Sequence, residues 1–96
     1  MIGVVATLTI QPGKDKEFEA FFLELAAQVK ANEPGNLMYQ LTKSRTEANV
    51  YKVLELYSDQ DALAAHGKTE YFRAAGKGFA AVLGGAPVVE YLDAVS

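Results

Sequence analysis

The first ten residues alternate between apolar side chains and their neighbours with a period of two. Every second residue from Ile2 to Ile10 is apolar, and threonines lie between the later ones. This alternation predicts a strand that buries one face. Gln11-Pro12-Gly13 ends it with turn chemistry. From Lys14 the spacing changes to that of an amphipathic helix. The apolar face of this helix comprises Phe18, Phe21, Phe22, Leu25, Ala26 and Val29.

The middle of the chain predicts a hairpin. The turn sequence from Asn32 to Asn36 ends the helix. Two β-prone segments follow, Leu37 to Ser44 and Val50 to Tyr57, and the polar sequence RTEAN joins them. We therefore expect two adjacent antiparallel strands here.

Two further helices and a last strand complete the pattern. Ser58 with Asp61 three residues later resembles a capping box and predicts a short helix through His66, which Gly67 ends. A second helix is expected from about Thr69. Its apolar face comprises Phe72, Ala75, Gly76, Phe79, Ala80 and Leu83. The final strand is expected over Val88 to Val95, after a turn containing two glycines and a proline.

This order predicts one domain over residues 1–96. The elements run β-α-β-β-α-β, the ferredoxin-like α+β arrangement, with a four-stranded antiparallel sheet and helices on one face. The other face of the sheet also carries apolar residues such as Val5. A bare sheet face of that composition would be a large exposed apolar patch, so we expect a homodimer that covers it.

Composition excludes several classes of protein. The formal charge is −3 and no basic run exists, which argues against nucleic acid as a partner. The absence of cysteine excludes disulfides, thiolate metal sites and thiol nucleophiles. The apolar start lacks a basic leader and is about half the length needed to span a bilayer. We therefore expect a cytoplasmic protein without membrane contact.

His66 is the only histidine and the most informative candidate residue. It shares a helix face with Ala62 and Leu63, which predicts that it points into a pocket between helices and sheet. Its imidazole could act as a base, or it could simply bond a carbonyl at a helix end. One histidine without cysteine does not supply a three-ligand site unless carboxylates contribute, and no paired histidine spacing exists, so no metal is expected.

Glu55 and three tyrosines are further candidates. Glu55 shares a strand face with Tyr57, and we expect it to be paired structurally with a lysine or arginine. The alternative is a pocket acid with a raised pKa. Tyr39, Tyr57 and Tyr71 either line a pocket as hydrogen-bond donors or belong to the core.

Neither glycine-lysine motif signals a nucleotide or flavin cofactor. Gly67-Lys68-Thr69 follows a predicted helix and lacks the earlier glycine of a phosphate-binding loop, where Ala62 stands. Gly76-Lys77-Gly78 lies inside a helical pattern without a third glycine. We therefore expect no nucleotide or flavin.

Two segments resemble the antibiotic biosynthesis monooxygenase family. EPGNLMYQL (Glu33 to Leu41) is similar to its E-x-G-x-x-x-Y segment. LELYSDQDALAAHGKTEYF (Leu54 to Phe72) is similar to its E-x-[WY]-x-[DS]-x-x-[AL]-x-x-H segment. The resemblance implies a dimeric α+β barrel in which two sheets face each other. It also implies one of several activities: cofactor-independent oxygenation of anthrones and quinols, conversion of a phosphorylated autoinducer sugar, or haem degradation.

Within that resemblance, His66 coincides with the histidine of the family motif. Tyr57 stands where tryptophan is common and Tyr71 where many members have a second histidine. The haem-degrading members use an asparagine, a tryptophan and an iron-ligating histidine, and the corresponding positions here hold Ala6, His66 and Gly76. Without the axial ligand, haem would lack its main protein bond to iron, so no haem is expected.

The leading hypothesis is a cofactor-independent monooxygenase acting on a small electron-rich aromatic. His66 would be the base, and Tyr57 and Tyr71 would hold the oxyanion. Tyr39, Glu55 and Phe72 would contact the substrate. A base in a wet pocket would make few core contacts, so its removal should barely change stability.

Two alternatives remain at this stage. One is a dimeric ligand-binding barrel without turnover. The other is an isomerase-like enzyme for a small phosphorylated sugar, which would need a basic cluster near His66 such as Lys68, Arg73 and Lys77.

Overall fold

The structure is a computed structural model that describes residues 1–95. Its elements are β1 (Ile2–Thr9), α1 (Asp15–Asn32), β2 (Asn36–Lys43), β3 (Val50–Tyr57), α2 (Gln60–Lys68), α3 (Glu70–Val82) and β4 (Val88–Asp93). The strands pair antiparallel in the order β2-β3-β1-β4. The predicted ferredoxin-like α+β fold is thereby confirmed. The two helices predicted after the hairpin, α2 and α3, together take the place of the second helix of the β-α-β-β-α-β order. No helix within these residues is both long enough and apolar enough to cross a bilayer.

The core forms between α1 and the face of the sheet to which Val4 and Leu8 of β1 belong. Phe18 is fully buried, and its ring lies 4.9 Å from that of Tyr51 on β3. Phe22, one helical turn further, stacks on Tyr39 of β2 with 5.5 Å between ring centres. These aromatic contacts fix the position of α1 over β2 and β3.

The beginning of α2 differs from the sequence expectation. Asp59, rather than Ser58, is the N-cap, and its carboxylate accepts a hydrogen bond from the backbone N–H of Ala62 at 2.8 Å. The backbone of Ser58 instead bonds to the turn after α1, since its N–H donates to the carbonyl of Gly35 at 2.9 Å. The capping box of Ser58 with Asp61 was therefore a wrong prediction.

The end of α2 also lies further along the chain than expected. Gly67 is inside the helix, which continues to Lys68. Thr69 breaks the chain with an extended conformation, φ −67° and ψ 147°. Its hydroxyl donates to the carbonyl of His66 at 2.9 Å and accepts from the N–H of Phe72 at 3.3 Å. One threonine thus ends α2, starts α3 and determines where His66 and Phe72 lie.

Gly35 lets the turn after α1 approach α2 closely. A Cβ atom at this position would lie 2.5 Å from the Cβ of Ala62 and 3.2 Å from the hydroxyl oxygen of Ser58. Ala62 is part of the helix that carries His66, so the glycine fixes the distance between the end of α1 and that helix.

We predict that Gly35→Ala destabilises the protein by about 1–3 kcal/mol, because α2 must move outward to accept the methyl group. The measurement is urea unfolding followed by circular dichroism. Gly76→Ala is the control, since open space surrounds that helical glycine, and it should gain up to about 1 kcal/mol. Adding Ala62→Gly to Gly35→Ala should recover part of the loss; no recovery would contradict the steric account.

Candidate active site

A cavity of about 780 Å³ lies between the sheet and helices α2 and α3. Most of its wall is apolar, with β1 and β4 forming one side and Phe72 and Phe79 of α3 the other. The wall residues with polar side-chain groups are Tyr39, Glu55, Gln60, His66, Tyr91 and Asp93. This size and composition are typical of a site for a small, largely apolar molecule.

His66 lies in the last turn of α2 and is only 5% exposed. Its Nδ1 atom lies 3.0 and 3.1 Å from the two carboxylate oxygens of Glu33. Within residues 1–95, Nε2 has no hydrogen-bond partner, and the side chain forms part of the cavity wall. His66 therefore lies inside the protein, as the sequence predicted, with one ring nitrogen held and the other available.

Three rings enclose the imidazole. The ring of Phe72 is 4.5 Å away, that of Tyr39 5.3 Å and that of Tyr57 5.6 Å, measured between centroids. The expectation that His66 makes few core contacts was therefore wrong. Its removal would cost packing as well as the hydrogen bond to Glu33.

Glu33 was not among the candidates taken from the sequence. It is the residue at the C-terminal end of α1, and its side chain is 9% exposed. Besides His66, it accepts a hydrogen bond from the hydroxyl of Tyr71 on α3. The sequence signal was its place in the segment EPGNLMYQL, but nothing in that pattern indicates a partner 33 residues away.

Glu55 projects from β3 into the same region. It is paired with neither lysine nor arginine in the described residues, so that expectation was wrong; the hydroxyl of Tyr57 donates to it at 2.7 Å. Burial raises the pKa of Glu55, while the Tyr57 hydrogen bond and the charge of His66 oppose the rise. Glu55 therefore holds its proton to a higher pH than an exposed glutamate does.

Tyr39 supplies a hydroxyl at the cavity wall. No hydrogen-bond partner for that hydroxyl lies within residues 1–95. Burial raises the pKa of Tyr39 above its usual value, and the nearby carboxylates Glu55 and Glu33 add to the rise. Tyr39 therefore keeps its proton and remains a hydrogen-bond donor at neutral and moderately alkaline pH.

The hydroxyl groups of Tyr57 and Tyr71 both donate hydrogen bonds to carboxylates. Tyr57 donates to Glu55 and Tyr71 to Glu33, and neither residue forms part of the cavity wall. Burial raises the pKa of Tyr57, and burial together with the Glu33 hydrogen bond raises the pKa of Tyr71 to about 12. This geometry fits two tyrosines that orient carboxylates rather than two that contact an oxyanion directly.

The charged groups near the cavity limit its chemistry. Lys68, Arg73 and Lys77, the basic cluster considered for a phosphorylated ligand, do not form part of the wall. Among residues 1–95, no three metal-ligating side chains lie close enough together to hold a metal ion. The wall residues therefore suit a ligand without negative charge.

Comparison with known proteins identifies the class that this fold and site define. The pattern of the family described as antibiotic biosynthesis monooxygenase matches residues 1–78. YcnE of Bacillus subtilis (strain 168), a candidate monooxygenase, is 32% identical over 73 residues, 76% of each chain. The chain belongs to the antibiotic biosynthesis monooxygenase family.

Solved structures agree with that assignment. A candidate antibiotic biosynthesis monooxygenase from Caulobacter crescentus CB15 is 65% identical, with a TM-score of 0.97 over 99% of this chain and 90% of that chain. SnoaB, a cofactor-independent oxygenase from Streptomyces nogalater, is 23% identical. Its TM-score is 0.85 over 99% of this chain and 93% of its own, which shows the shared fold.

The raised pKa of Glu55 predicts a pH-dependent difference in stability. Because the folded state holds the proton more tightly than the unfolded state, wild-type stability falls as pH rises from the usual glutamate range through the raised pKa. Gln at this position still accepts from Tyr57 but carries no charge. We therefore expect Glu55→Gln to be more stable than wild type near pH 8, with the difference shrinking towards pH 5. Urea unfolding at both pH values is the measurement; a difference independent of pH would contradict the assignment.

Proposed function

We propose that this protein is a cofactor-independent monooxygenase that oxidises a small electron-rich aromatic of the quinol or anthrone type. The observation that carries the proposal is the unpartnered Nε2 of His66 at the wall of an apolar cavity, with Nδ1 held by Glu33. A buried imidazole with one free nitrogen is a suitable proton acceptor for a bound phenol.

Proton removal is the step that such an oxidation requires from a protein. Dioxygen is a triplet and reacts slowly with closed-shell molecules, but a phenolate transfers an electron to it far more readily than a phenol does. The overall reaction balances without a further reductant. A C–H position of the phenol becomes C=O with one oxygen atom, the phenol O–H becomes the second C=O, and the other oxygen atom leaves as water. All four electrons come from the substrate.

The residues around the cavity have distinct roles in this proposal. His66 accepts the phenolic proton at Nε2. The hydroxyl of Tyr39 donates to the resulting oxyanion, and Glu55, whose pKa is raised by burial, borders the same cavity. Phe72 packs against the imidazole and the ligand and keeps water away from the reacting atoms. Hydrogen bonds to the phenolate are stronger where bound substrate excludes water from the cavity.

Family membership supports the reaction class. SnoaB shares this fold and is a cofactor-independent oxygenase, so the fold is compatible with that chemistry. The phosphorylated-sugar alternative receives no support from the cavity wall, which contains carboxyl groups but neither lysine nor arginine. A phosphate in this cavity would lose its hydration without gaining a cation.

We predict that His66→Ala lowers the turnover of an active quinol or anthrone by roughly 10²-fold or more. The wild-type rate should rise with pH as the base loses its proton, and the variant should lack that ascending limb. Oxygen consumption against a panel of quinols and anthrones is the measurement, with ¹⁸O₂ labelling of the product. The variant should also lose about 1–3 kcal/mol of stability, because Glu33 loses its buried partner.

Lys68→Ala is the matched control, since Lys68 ends the same helix but does not border the cavity. Its activity should equal that of wild type. Full activity of His66→Ala with an unchanged pH limb would refute the role of His66 as base. Binding of the panel compounds without oxidation above the buffer rate would instead favour the ligand-binding barrel.

The outer face of the sheet supports a homodimer as the working form. Strand register places Val5 opposite Leu54, and Met38 opposite Leu56, all on the face away from the helices. Met38 is 46% exposed. Packing of two such faces against each other would give the dimeric α+β barrel implied by the sequence.

We predict a stable dimer whose interface buries more than about 1,000 Å² in total. Light scattering should give twice the mass of the chain, and Leu54→Lys should produce monomers, since it places a charge in the interface. Leu23→Lys is the control, because this exposed leucine lies on α1 and not on the sheet. A monomeric wild-type protein would exclude the dimer.

A further inference from the structure

Glu33 occupies a rigid position directly behind His66. It ends α1, where its backbone N–H donates to the carbonyl of Val29 at 3.0 Å. Its own carbonyl accepts from the N–H of Asn36 across the following turn, also at 3.0 Å. The backbone is therefore held on both sides, and the side chain extends from a fixed point.

The carboxylate of Glu33 contacts two helices besides its own. His66 Nδ1 lies near both of its oxygens, and the Tyr71 hydroxyl donates to Oε2. A carboxylate offers acceptors only, so the nitrogen that faces it must carry a proton. In the neutral imidazole the second nitrogen, Nε2, then holds the lone pair. Only that nitrogen is free to act on a molecule in the cavity.

We propose that Glu33 is a positioning residue that holds His66 in its Nδ1–H tautomer and thereby turns a basic Nε2 towards the cavity. The effect on catalysis rests on the function proposed above, whereas the tautomer itself can be observed without any substrate. When Nε2 accepts a proton, the imidazolium gains a carboxylate partner at 3.0 Å in a buried site. That contact lowers the free energy of the charged state formed during the reaction.

Tyr71 has a separate role in this arrangement. Its hydroxyl donates to Oε2 and leaves both oxygens with acceptor capacity for His66. Removal of the hydroxyl frees one lone pair but leaves the negative charge in place. Tyr71→Phe therefore distinguishes the charge of Glu33 from the hydrogen bonds around it.

The first test is the nitrogen NMR spectrum of protein labelled with ¹⁵N-histidine. His66 is the only histidine, so each ring-nitrogen signal is assigned without further work. With the imidazole neutral, the wild type should show a protonated Nδ1 and an unprotonated Nε2. Tyr71→Phe should give the same pattern. Glu33→Gln should show a mixture of tautomers, because its amide can donate to Nδ1 as well as accept from it.

The second test is steady-state kinetics on any quinol or anthrone that the wild type oxidises. Glu33→Gln should lower kcat by roughly 10²-fold with little change in KM, because Glu33 contacts the base and not the ligand. Tyr71→Phe should retain most of the activity. A purely structural role would lower the content of folded protein instead, which circular dichroism measures directly.

Two results would overturn the proposal. One is a wild-type spectrum with Nε2 protonated, and the other is a Glu33→Gln variant whose tautomer and kcat match those of wild type. The NMR test does not depend on turnover. If no compound is oxidised while the Nδ1–H tautomer is found and is lost in Glu33→Gln, the proposed reaction fails and the positioning role of Glu33 stands.

Discussion

The contact between Glu33 and His66 organises one side of the molecule. It joins the end of α1 to the last turn of α2, 33 residues later, and the hydroxyl of Tyr71 adds α3 to the same carboxylate. Three helices therefore meet at one buried acidic group beside the cavity. Breaking a buried hydrogen bond to a carboxylate costs more than breaking a surface contact, because the carboxylate is left without a partner. The positions of the helices and the orientation of the imidazole thus depend on the same contact.

The other polar groups divide into those that face the cavity and those that stand behind it. Tyr57 and Tyr71 use their hydroxyl protons on carboxylates, whereas the hydroxyl of Tyr39 has no partner within residues 1–95. Burial raises the pKa of both Tyr39 and Glu55. A site with a free imidazole nitrogen and a tyrosine hydroxyl donor can remove a proton and bind the resulting anion, which is what an aromatic oxygenation without a cofactor requires.

The spacing of apolar residues and the turn sequences were sufficient to predict the order of the elements and the buried position of His66. The same reasoning missed Glu33, because a glutamate at a helix end followed by proline and glycine has the pattern of an ordinary solvated turn. It chose Ser58 over Asp59 as the cap, since sequence alone does not show that the backbone of Ser58 bonds across to another turn. For Glu55 it favoured a cationic partner, whereas the structure provides a tyrosine hydroxyl. Each of these features depends on tertiary contacts that local pattern does not encode.

The most direct test of the account is a crystal structure with an unreactive hydroxylated aromatic, such as a naphthol, bound in the cavity. We predict that the ligand hydroxyl lies roughly 2.6–3.2 Å from His66 Nε2, with the Tyr39 hydroxyl donating to the same oxygen. The ring should pack against Phe72. A ligand bound elsewhere, or one in the cavity with its hydroxyl turned away from His66, would contradict the assignment of His66 as the base.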